Sequence, residues 1–145
     1  MSESLISYII IYFICGLSIL GYGLLLSNYS KKYLNEINIG EAGIVGILIT
    51  IIYSTISHIF IAHGYFHNTI FIILGLIFFI YFYRNLSRLE IATFIVVFSI
   101  IFISLPTFKS HDDFHYYHFP YTYYITQYPH LFGMGNFNHG FRTPS

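Results

Sequence analysis

The chain has 145 residues, of which 56% are apolar and only 8% charged, against about 25% charged in an average soluble domain. Six Lys and Arg balance six Asp and Glu, and the mean hydropathy is +0.67. A soluble globular domain, a disordered chain and a nucleic-acid-binding protein are thereby excluded, and the lone Cys15 excludes a disulfide scaffold.

A membrane-crossing helix needs about 20 mostly apolar residues. Four runs meet that requirement in chain order. The first, 5–26, carries no charge. No Lys or Arg precedes it and no small-residue cleavage site follows, so it reads as a retained helix rather than a signal peptide. The second, 42–62, holds His58 and no formal charge. The third, 65–83, has His67 and Asn68 near its start. The fourth, 89–108, has Glu90 near its start and Pro106 near its end.

Lys31 and Lys32 follow the first run, and Arg84 and Arg88 follow the third, whereas the N-terminus and the 63–68 turn carry no Lys or Arg. The positive-inside rule then puts both termini, and all of residues 109–145, outside the cytoplasm. Gly16, Gly21 and Gly23 in the first run, and Gly40, Gly43 and Gly46 around the start of the second, predict close helix packing, with a glycine-lined substrate groove as the alternative. Tyr29, Tyr33, Tyr81 and Tyr83 fit interfacial belts. His58 is expected to serve packing, through a hydrogen bond to Ser54, Ser57 or neighbouring backbone.

The tail, 109–145, holds five of the eight histidines and the pair Asp112 and Asp113. Ser110 and Asp113 fit a capping-box spacing, which predicts a short helix over 111–119 that breaks or kinks at Pro120. The many Tyr and Phe predict a segment lying in the membrane interface, and 132–136 reads as a loop. Three chemistries fit the acidic pair. Acids in a first helical turn are stabilised by about 0.3–1 kcal/mol; adjacent carboxylates can serve as a base toward a hydroxyl; and oxygen ligands suit Mg or Mn. His111, His115 and His118 share a helical face, and His63 and His67 form a second pair on the same side of the membrane. Clustered imidazoles suit a transition metal, with His115 and Asp112 as candidate ligands. The His boxes of membrane desaturases and hydroxylases are similar, but they are cytoplasmic and more numerous.

Asp113, then Tyr117, His118 and Phe119, then Tyr128 and Pro129, then Gly133, Met134, Gly135, Asn136 and Phe137, and finally Ser145 form a spaced series. This series resembles the extracytoplasmic acidic loop of polytopic bacterial membrane proteins of the GT-C glycosyltransferase type and their uncharacterised relatives. The resemblance implies transfer of a sugar from a polyprenyl-phosphate donor to a glycan or lipid acceptor on the outer face of the membrane. It implies Asp113 as base toward the acceptor and Asp112 as its neighbour or as a ligand of Mg or Mn. It further implies substrate contacts from Tyr117, His118, Asn136 and Arg142, and a bacterial inner-membrane location. GT-C proteins have more spans than this, and the pattern continues into another span where the chain stops, so a fragment is expected.

The expected architecture is an all-α polytopic membrane protein: four transmembrane helices in 1–108, then an extracytoplasmic helix and loop segment in 109–145. A non-catalytic membrane scaffold or assembly subunit is the alternative function, and a His-metal membrane enzyme a third.

Overall fold

The computed structural model describes residues 2–30, 38–104, 116 and 118–130. Every regular element among them is helical: α1 (Ser2–Ser30), α2 (Ile39–Phe60), α3 (Tyr65–Phe82) followed by a 3₁₀ turn (Tyr83–Asn85), α4 (Arg88–Ser104) and α5 (His118–Gln127). Three of these, α1, α2 and α3 with its 3₁₀ turn, are long and apolar enough to cross a membrane. In lipid the backbone must satisfy itself, and a helix does so within one segment. The α4 helix has 17 residues, and positions 105–108 of the fourth run lie outside the described residues.

Helix limits are set by caps rather than by hydropathy. Asn38 accepts the Glu41 N–H at 3.0 Å, and the Glu41 carboxylate accepts the Asn38 N–H at 3.0 Å. This capping box starts α2 three residues before the apolar run does. Ser87 and Glu90 repeat the device at α4: the Ser87 N–H donates to Glu90 at 2.8 Å, and the Glu90 N–H donates to the Ser87 hydroxyl at 3.2 Å. Asn38→Ala is expected to cost about 1 kcal/mol in a reversible unfolding titration. Within α2 the hydroxyls of Thr50, Ser54 and Thr55 donate to carbonyls one turn back, at 2.8, 2.6 and 2.8 Å, so they cross the apolar layer satisfied.

The α1 helix is central, with α2 and α3 packed against it. Both contacts are made through residues without bulk. A Cβ on Gly23 would run into the Ala42 carbonyl, and one on Gly46 into the Ile19 carbonyl. A Cβ on Gly21 would meet the Gly75 carbonyl, and one on Gly75 the Ser18 hydroxyl. Gly21, Gly23 and Gly46 therefore act as expected. Gly43 differs, because it faces open space. The α4 helix is held instead by rings: Tyr12 stacks on Phe98 with centroids 4.2 Å apart and donates its hydroxyl to the Phe98 carbonyl at 3.1 Å. Leu20, Leu24, Ile39 and Ala42 form the buried core, with Phe79, Phe82, Leu86 and Phe94 around it. The core thus sits at the end of the bundle that carries both capping boxes.

The tail helix differs from expectation. The helix runs on through Pro120, which is the third residue of α5. The first four N–H groups of a helix have no intrahelical acceptor, so a proline there removes nothing the helix uses. Of the predicted 111–119 helix, His118 and Phe119 open α5; residues 111–115 and 117 lie outside the described residues, as does Ser110.

Candidate functional site

The α2–α3 turn and the end of α5 bring four histidines together at the end of the bundle opposite the capping boxes. The α2 helix ends at Phe60 and α3 begins at Tyr65, so His58, His63 and His67 flank one tight turn. The tail closes over it through main-chain bonds. The His63 N–H donates to the Ile125 carbonyl at 3.0 Å, and the His130 N–H donates to the His58 carbonyl at 2.7 Å.

The rings form a continuous ladder that starts inside the bundle. Tyr22 of α1 stacks on Phe71 of α3 at 4.5 Å, and Phe71 stacks on Tyr53 of α2 at 4.6 Å. Tyr53 lies parallel to His67 at 5.7 Å, and His67 stacks on His63 at 4.5 Å. His58 then meets His63 edge-on at 4.9 Å and His130 at 5.8 Å. Helical spacing builds part of the ladder: His67, Phe71 and Gly75 recur every four residues and so share one face of α3, while His63 reaches His67 from the turn before the helix.

Hydrogen bonds fix two tautomers. Asn68 donates its amide to the His63 carbonyl at 2.8 Å, which leaves its Oδ1 to accept the His67 Nδ1 proton at 3.1 Å. Neutral His67 then has an unprotonated Nε2, which accepts the Tyr53 hydroxyl at 3.0 Å. His58 donates from Nε2 to the Tyr128 carbonyl at 3.1 Å. The His63 Nε2 shares a 2.9 Å bond with the Ser57 hydroxyl. Burial, with His67 and His58 alongside, holds the His63 pKa below the usual imidazole value. The cause is Coulombic as well as solvational: two unit charges about 5 Å apart repel by roughly 1–3 kcal/mol, depending on how much water screens them. The cluster is therefore a hydrogen-bonded stack of imidazoles in which His63 resists protonation.

Among the described residues no group of three or more His, Cys, Asp or Glu is placed to hold a metal ion. His58 does form the packing hydrogen bond expected of it, but with backbone 70 residues away rather than with Ser54 or Ser57.

Of the sequence-derived candidates, His118 is described, as the first residue of α5. Asp112, Asp113, His115, Tyr117, Asn136 and Arg142 lie outside the described residues. The sequence signal for the histidine site was the His63 and His67 pair; nothing local pointed to Tyr128 or His130 as partners.

A second feature lies toward the other end of the bundle. A groove of about 660 Å³ runs between α1, α2 and α4, lined by Gly16, Gly43, Phe94 and Phe98, with Asn38, Glu90 and Thr93 as its polar residues. The Asn38 and Glu90 side chains are both engaged in caps.

Compared with protein-family models, curated proteins and solved structures, the chain matches none.

Proposed function

We propose that the chain forms the N-terminal part of a GT-C-like membrane glycosyltransferase, with four spans and with the tail on the extracytoplasmic face of a bacterial inner membrane. The spaced series from Asp113 to Ser145 carries this reading. Two further observations support it. Lys31, Lys32, Arg84 and Arg88 all fall in the loops at one side of the spans, which the positive-inside rule makes cytoplasmic. The α5 helix, which holds His118 and leads into Tyr128 and Pro129 of the series, meets the bundle at the α2–α3 turn, the end of α3 remote from Arg84.

In this reading Asp113 takes the proton of the acceptor hydroxyl as the sugar leaves its polyprenyl phosphate. Asp112 raises the basicity of its neighbour or binds Mg or Mn. His118, Tyr117, Asn136 and Arg142 contact substrate, with Arg142 suited to pair with a phosphate. Membranes bearing the full-length protein, given radiolabelled polyprenyl-phosphate sugars, are expected to move label into a glycan or lipid product. Equal label transfer by wild type and Asp113→Asn would contradict the assignment. Chelation tests the second carboxylate: transfer lost with EDTA and restored by Mg or Mn assigns Asp112 as a ligand, and transfer indifferent to EDTA assigns it as a neighbour only.

A further inference from the structure

The hydroxyls of α2 are not all used alike. Thr50, Ser54 and Thr55 donate to carbonyls one turn back at 2.8, 2.6 and 2.8 Å. Ser57 stands 3.3 Å from the Ser54 carbonyl, and its shorter contact, at 2.9 Å, is with the His63 Nε2. His63 is held from several directions. Its N–H donates to the Ile125 carbonyl at 3.0 Å, and its carbonyl accepts the Asn68 amide at 2.8 Å. Its ring stacks on His67 at 4.5 Å and meets His58 edge-on at 4.9 Å. A hydroxyl within hydrogen-bond reach of a positioned imidazole is the core of an activated nucleophile. Burial and the neighbouring rings hold the His63 pKa below the ordinary imidazole value, so this ring is mostly neutral at pH 7 and able to take a proton.

Ser57 also lines a groove of about 380 Å³, whose other described walls are Ile49, Ile52, Tyr53 and Ile56. The Tyr53 hydroxyl is bonded to His67, which leaves Ser57 as the polar group at the groove's end. Ser57 stands three residues before the end of α2, and Ile49 lies eight residues deeper, about 12 Å at 1.5 Å per residue. Such a groove takes an apolar chain along α2 and leaves the polar end of the chain at Ser57, where the helix meets the turn. Among the described residues no Lys or Arg stands at this end of the bundle; Arg84 and Arg88 lie at the other. The walls therefore suit a neutral carbonyl group rather than a phosphate. Gly64 caps α3 without a side chain, so the Tyr65 and Phe66 N–H groups, close after His63 in the chain, have no side-chain acceptor. Main-chain donors of this kind stabilise a developing oxyanion.

We propose that Ser57 and His63 are the nucleophile and base of a second site, which cleaves the acyl ester of a membrane lipid whose chain lies in the α2 groove. The Ser57 oxygen attacks the ester carbonyl carbon as its proton passes to His63 Nε2. The bond from that carbon to the alcohol oxygen breaks, and the departing alcohol takes the proton from His63. Water then attacks the acyl-serine in the same way, again through His63, and releases a carboxylic acid and free Ser57. The sum is ester plus water giving acid plus alcohol. This site goes beyond the sugar transfer proposed above and does not rest on it.

The test uses the full chain in lipid nanodiscs and needs no sugar donor. One probe is an alkyl fluorophosphonate, which phosphonylates an activated serine with loss of fluoride; the others are p-nitrophenyl esters of a short and a long fatty acid. Mass spectrometry of the wild type is expected to find the phosphonyl adduct on Ser57, a result that depends on no variant. Ser57→Ala is expected to lose adduct and ester turnover. His63→Gln should lower both by at least about 10²-fold with unchanged helical circular dichroism. Thr55→Ala, whose hydroxyl is bonded to the Ile51 carbonyl, is expected to match wild type. Ile56→Trp narrows the groove and should lower turnover of the long ester more than of the short one. Absence of a Ser57 adduct in the wild type would overturn the site. So would an adduct that forms equally fast in His63→Gln, or an equal loss of both esters in Ile56→Trp.

Discussion

Gly23→Ala destabilises the bundle by about 2–3 kcal/mol, as expected when a methyl group is forced into packed backbone. The added Cβ has nowhere to go: it points at the Ala42 carbonyl, with the Gly46 nitrogen also close, and neither can swing aside as a side chain does. The α1–α2 contact must open along its length, and close approach is the main source of attraction between helices in lipid. Two controls grade the effect. Gly43→Ala is expected to stay within about 0.5 kcal/mol, because that position faces open space. Gly16→Ala is expected to fall between them, because its Cβ meets only the Phe98 ring, which can rotate. Gly23→Ala combined with Gly46→Ala should cost less than the sum, since one displacement relieves both clashes. Reversible unfolding in mixed micelles measures the series; equal losses at Gly23 and Gly43 would show that backbone contact does not hold α1 to α2.

Asp113→Asn lowers sugar transfer by about 10²–10⁴-fold if the carboxylate is the general base, the usual range for such a group. The amide keeps the shape of the side chain and can still accept a hydrogen bond at a helix start. Stability and membrane insertion are therefore expected to match wild type, and KM for the donor should move little while kcat falls. Asp112→Asn separates the roles: loss of transfer that added Mg or Mn partly restores marks a ligand, and a small loss indifferent to metal marks a neighbour. A variant at Asp113 that unfolds but retains normal turnover per folded molecule would assign the residue to capping, the bland chemistry that its spacing from Ser110 also fits.

The apolar runs were legible because a helix in lipid leaves a composition signal that nothing nearby imitates. Their limits were less so. Hydropathy starts the second run at Ala42, but the Asn38 and Glu41 box begins α2 at Ile39, and the same spacing at Ser87 and Glu90 begins α4 at Arg88. Both boxes are readable as motifs once polar residues before a run are weighed as caps rather than as loop. Gly75 gave no warning. It stands alone in its run, and its meaning comes from Ser18 and Gly21 on another helix. Pro120 was misread because its effect depends on position: in a first turn it is harmless, and only in an interior would it break the helix. The histidine site was half visible. His63 and His67 announce a pair, but the bonds from His58 to Tyr128 and from His130 to His58 join distant segments, and no local pattern encodes them.

Transfer from a polyprenyl donor on the outer face requires α5 and the acidic pair to lie on that side of the membrane. Single cysteines at Tyr123 in α5 and at Arg84 after α3, in a Cys15→Ala background, can be probed in intact cells with a thiol reagent that does not cross the membrane. Labelling of Tyr123→Cys in intact cells, and of Arg84→Cys only after the membrane is opened, is the predicted result. Labelling of Arg84→Cys in intact cells, with Tyr123→Cys protected until the membrane is opened, would place the tail in the cytoplasm and contradict the proposed function.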